Sequence, residues 1–81
     1  MLSIKVVGPN CVNCNKLYQM CNEIIEENNL DAEIEKIDDP DKFIELGVWI
    51  TPALIVNDQL LLQGKLPTKS TLTHWLEKGG R

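Results

Sequence analysis

Gly8-Pro9-Asn10-Cys11-Val12-Asn13-Cys14 decides how the rest of this chain is read. An apolar run, Leu2 to Val7, comes before it, and a helical pattern follows to about Asn28. Two thiols at C-x-x-C spacing, set between a strand and the first turn of a helix, point first to redox chemistry. A cysteine at a helix N-terminus faces unpaired backbone N–H groups and the positive end of the helix dipole. That environment favours the thiolate, which is the nucleophile. A second thiol three residues on can then attack a mixed disulfide and release the product. Three residues of helix rise about 4.5 Å, compatible with a disulfide's usual Cα separation of roughly 4.4–6.8 Å. Cys11 is therefore the candidate nucleophile and Cys14 the candidate resolving thiol. Structural or metal-ligating thiols are the alternative.

Working outward, Leu2 to Val7 reads as a central strand, nearly continuous in apolar residues and interrupted only by Ser3 and Lys5. Gly8 and Pro9 stop it, and Asn10 is a suitable N-cap. From about Cys11 to Asn28, Cys14, Leu17, Cys21 and Ile24 fall on one helical face, flanked by Met20 and Ile25. Asn28-Asn29 suits a helix end, because Asn tolerates the left-handed conformation. Ala32 to Ile37 alternates and reads as a second strand, nearer the sheet edge. Asp38-Asp39-Pro40 starts a short helix to about Leu46, with proline in its first turn and Gly47 beyond its end. Ala53 to Val56 is a third strand. Asn57-Asp58 suits a hairpin turn, and Gln59 to Gln63 returns as a fourth strand. Thr68 can cap a last helix, Lys69 to Lys78, with Leu72, Trp75 and Leu76 on one face. Gly79-Gly80-Arg81 reads as a frayed tail.

The order is β-α-β-α-β-β-α, an α/β class with a four-stranded mixed sheet and helices on both faces. The first two strands should be parallel neighbours, with the hairpin pairing on the other side of the first strand. One domain is expected from 81 residues. A net charge of −4 without a basic patch argues against nucleic acid. No apolar run approaches the roughly 20 residues of a membrane span. The N-terminal residues lack a signal-peptide pattern, so the expected compartment is the cytoplasm, where cysteine pairs are more often catalytic or metal-binding than structural. A monomer is the expectation.

Cys11-Val12-Asn13-Cys14 after the first strand, with Thr51-Pro52 opening the third, resembles the thioredoxin/glutaredoxin superfamily. Val6-Val7-Gly8-Pro9, the Gly47 to Leu54 stretch and Gly64 to Pro67 are most similar to its very small "redox-active disulfide" members from bacteria and archaea. The resemblance covers nearly the whole chain. It implies a thioredoxin-like fold and a thiol–disulfide oxidoreductase with no metal or organic cofactor. It also implies a cis Thr51–Pro52 bond beside the cysteine pair, with the backbone of Thr51 free to pair with an extended substrate by strand addition. Protein disulfides would be the substrates, and a thioredoxin-reductase-type flavoprotein or another electron donor the source of reducing power. The chain departs from the family in three places. Val12-Asn13 stands between the cysteines. Lys5 occupies the offset at which thioredoxin proper has a buried acid; it either favours a nearby thiolate or reaches solvent. Gly64 to Thr68 lacks the glutathione-binding segments of glutaredoxins.

Cys21, seven residues beyond Cys14, is about 10.5 Å further along the helix, past the roughly 7 Å limit for an intramolecular disulfide. It reads as a small core residue. His74 lies off the apolar face of the last helix and should be solvated. Trp49, just before Thr51-Pro52, either floors a substrate groove or packs in the core. Two rivals belong to other classes: a soft-metal module holding Cu(I) or Zn(II) on the two thiols, and a docking subunit on the same fold. Copper chaperones of this size end on a strand, whereas this chain ends on a helical pattern.

Overall fold

A computed structural model describes residues 2–9 and 12–78. The elements are β1 (Leu2–Val7), α1 (Val12–Glu27), β2 (Ala32–Ile37), α2 (Pro40–Glu45), β3 (Ala53–Val56), β4 (Gln59–Gln63) and α3 (Lys69–Glu77). The strands form one sheet in the order β2-β1-β3-β4. β1 runs parallel to β2, with Leu2 opposite Ala32, and antiparallel to β3, with Val7 opposite Ala53. The parallel pair and the hairpin therefore lie on opposite sides of β1, as the element order predicts. Asn10, expected as an N-cap, Cys11, expected as the nucleophile, and the Gly79–Arg81 tail lie outside the described residues.

Side-chain alternation on the two central strands builds two apolar layers. Ile4 and Val6 of β1 and Leu54 and Val56 of β3 face α1 and α3, against Leu17, Cys21, Ile24, Leu72 and Leu76. Val7, Ala53 and Ile55 face the other way and meet Val48, with Ile37, Phe43 and Leu46 packed alongside. Helices thus cover both faces, unequally. The six-residue α2 has no fully buried residue of its own, and its Ile44 is exposed.

Local chemistry sets the element ends. Asn29 takes a positive φ after α1, and Asn57 and Asp58 do so in the β3–β4 turn. Asp39 caps α2 by accepting from the Asp41 N–H at 3.0 Å, and Thr68 caps α3 by accepting from the Thr71 N–H at 3.2 Å. One irregularity lies in the hairpin. Val56 opposes Gln59 and Ile55 opposes Leu60, but Leu54 opposes Leu62 and Ala53 opposes Gln63. The single extra residue in β4 is a bulge, and it carries the end of β4 one position along β3.

Candidate thiol site

The site is built where the C-terminal end of β1, the start of α1 and the turn into β3 meet. Because Val7 pairs with Ala53, the chain turns at Gly8 beside the turn at Pro52. Gly8 is buried and donates its N–H to the Ile37 carbonyl at 2.8 Å. A Cβ placed on Gly8 would lie 3.3 Å from Cys14 Cβ and 3.3 Å from Thr51 Cβ, and would collide with Cys14 Sγ. A bare Cα here lets the cysteine helix and the Thr51-Pro52 turn approach the same point from two sides.

Cys14 is fully buried and disulfide-bonded. The Thr51–Pro52 peptide bond is cis; Thr51 is half-buried and Pro52 buried. Three of the four residues singled out in the sequence thus stand together around Gly8, and Cys11 lies outside the described residues. Gly8, read from the sequence only as the end of a strand, proves to be the contact point. The signal for it was its place just ahead of the cysteines, where a close backbone approach needs glycine.

The rim of this end is apolar and open. Val12 is 72% exposed, Trp49 82% and Ile50 60%. Trp49 is therefore not a core residue. The core beside it is filled by Val48, so Trp49 projects outward. Lys5 does not face Cys14: it lies on the α2 side of β1 with Val7 and is 3.8 Å from Asp58 in the β3–β4 turn. Of its two readings, the ion pair with Asp58 fits the one in which the ammonium reaches out toward solvent. His74 is exposed, as its place on α3 predicts.

The other cysteine of α1 has different chemistry. Cys21 is free, fully buried and packed among Ile4, Leu17 and Ile24. Burial pushes its thiol from an ordinary value of 9.0 up to about 12. It stays protonated and unreactive near neutral pH.

A four-stranded mixed sheet flanked by three helices, with a half-cystine at a helix start against an X-Pro turn, defines the class of small thioredoxin-like α/β proteins. A solved structure described as that of a malarial protein shares this fold, with a TM-score of 0.73 at 13% identity over 98% of this chain and 97% of its own. The family model described as a thioredoxin domain matches residues 2–77, and the chain belongs to that family. Two archaeal relatives are named thioredoxin. The protein of Methanothermobacter thermautotrophicus is 33% identical over 89% of this chain and 94% of its own length. That of Methanocaldococcus jannaschii is 33% identical over 95% of this chain and 93% of its own. Membership places the chain among the thiol–disulfide oxidoreductases as a class.

Proposed function

We propose that this chain reduces protein disulfides through Cys11 and Cys14, with Thr51-Pro52 receiving the substrate chain. The Cys11 thiolate attacks one sulfur of the target disulfide. A mixed disulfide forms, and the departing sulfur takes up a proton. Cys14 then loses its proton and attacks the Cys11 sulfur. The Cys11–Cys14 disulfide forms, and the target leaves as a dithiol carrying two electrons and two protons. An external donor, a flavoprotein reductase or another dithiol, returns the pair to its reduced form. The reading takes the protein to be a cytoplasmic, single-domain monomer that needs no metal or organic cofactor.

One observation carries the reading: Cys14 is a half-cystine at the start of α1, seated against Gly8 and Thr51, while Cys21 is a free thiol in the core. The full burial of Cys14 fits a resolving role, since a thiol hidden from solvent is reached from its own chain more easily than from a second protein. The open apolar rim of Val12, Trp49 and Ile50 fits a protein substrate better than a small one.

The test is trapping. Cys14→Ser, mixed with a protein disulfide, should accumulate a covalent adduct at Cys11 by intact mass, and Cys11→Ser should give none. Equal adducts from both variants, or adducts at Cys21, would refute the assignment.

A further inference from the structure

The segment that presents Thr51 is held in an unusual way. Trp49 and Ile50 lead into the Thr51-Pro52 turn, yet their side chains are largely in solvent. Burial of these two side chains therefore anchors them little, although Val48 just before them is buried. The anchoring comes instead from the end of β4. The Gln63 side-chain Oε1 accepts the Trp49 backbone N–H at 2.9 Å and the Ile50 backbone N–H at 3.4 Å. Two converging N–H donors require an oxygen at that point, which fixes the orientation of the amide. The next residue completes the hold. Gly64 donates its N–H to the Pro52 carbonyl at 2.8 Å. At φ +78°, its missing Cβ leaves room for Ile50, whose Cγ2 would otherwise be 2.7 Å away. The β4 bulge is what sets Gln63 opposite Ala53, the residue after Pro52.

We propose that Gln63 is a positioning residue for protein-disulfide substrates. Its Oε1 holds residues 49 and 50 so that the Thr51 backbone and the exposed Trp49 and Ile50 side chains meet the chain flanking the target disulfide. Gln63 touches neither thiol nor substrate sulfur and acts through this segment. The inference rests on Thr51-Pro52 receiving substrate, as argued above.

The variants are Gln63→Met, which keeps the length and removes the acceptor, and Gln63→Glu, which keeps an acceptor oxygen. Gln63→Met should raise KM for a protein disulfide roughly 3- to 10-fold, the factor that one such hydrogen bond is worth, with kcat unchanged. Its rate with a small aromatic disulfide and the potential of the cysteine pair should match wild type. Gln63→Glu should restore most of the lost KM. Amide hydrogen exchange on the wild-type protein reads the clamp directly, whether or not a variant folds: the Trp49 N–H should be protected. An unchanged KM in Gln63→Met, an equal loss in Gln63→Glu, a parallel loss with the small disulfide, or an unprotected Trp49 N–H would each overturn the proposal. If the wild-type chain turns over no protein disulfide, the proposed function fails and takes this inference with it. If it does and Gln63→Met has the wild-type KM, the assignment of Gln63 alone fails.

Discussion

Cys14 and Cys21 sit about two turns apart on one face of α1, both fully buried, and have opposite surroundings. Cys14 lies where the helix begins, against a glycine and a turn from two other elements, and is disulfide-bonded. Cys21 lies mid-helix among aliphatic side chains, free, with its ionisation pushed up to about 12. Burial alone therefore does not decide what a thiol does. Its place along the helix decides, because only the first turn combines unpaired N–H groups with access to the chain ends of a sheet.

The contrast can be broken by mutation, and the largest effect belongs to Cys14. Cys14→Ser should drop multiple-turnover disulfide reduction to the uncatalysed background, while Cys21→Ala keeps the wild-type rate; a dithiol-coupled assay checks both. Gly8→Ala comes next. Its methyl group enters a space already closed by Cys14 and Thr51, so it should cost about 1–3 kcal/mol by denaturant unfolding and slow the reaction of the cysteine pair.

At alkaline pH the buried Cys21 thiol lowers the stability of the fold. The folded chain keeps this thiol protonated, while the unfolded chain releases its proton above about 9.0. The unfolded state then binds fewer protons, so stability falls as pH rises from about 9 toward about 12. Wild type should lose up to about 1.4 kcal/mol per pH unit more than Cys21→Ala across that window. Other groups that ionise there cancel in the difference. The smallest effect is expected at the Lys69–Glu27 ion pair, 2.8 Å between α3 and α1 at the surface. The Glu27 carboxylate raises the Lys69 ammonium pKa, but solvent screens the pair, and Glu27→Ala should leave the unfolding midpoint within error.

Much of this was legible in the sequence because it rests on local periodicity. Cys14, Leu17, Cys21 and Ile24 repeat at helical spacing, and all four are buried. Asn57-Asp58 announced its turn, and β1–β2 pairing followed from the crossover between them. What escaped depends on register between distant segments. Residue type left Trp49 open between a groove and the core; Val48 fills the core place and leaves Trp49 outside. The partner of Lys5 is an aspartate 53 residues away across the sheet. The hold of Gln63 on Trp49 exists because one bulge shifts the end of β4, and no pattern in Gln59-Leu60-Leu61-Leu62-Gln63 announces a bulge.

The proposed chemistry confines redox change to Cys11 and Cys14 and leaves Cys21 inert. A redox titration of the wild-type protein, read by native thiol alkylation and intact mass, tests it most directly. One reversible two-electron couple is expected between about −180 and −300 mV, with two alkyl groups gained on reduction, both within the Cys11–Cys14 peptide, and Cys21 unlabelled until the protein unfolds. A pair that resists oxidation and carries stoichiometric metal, or a couple that includes Cys21, would contradict it.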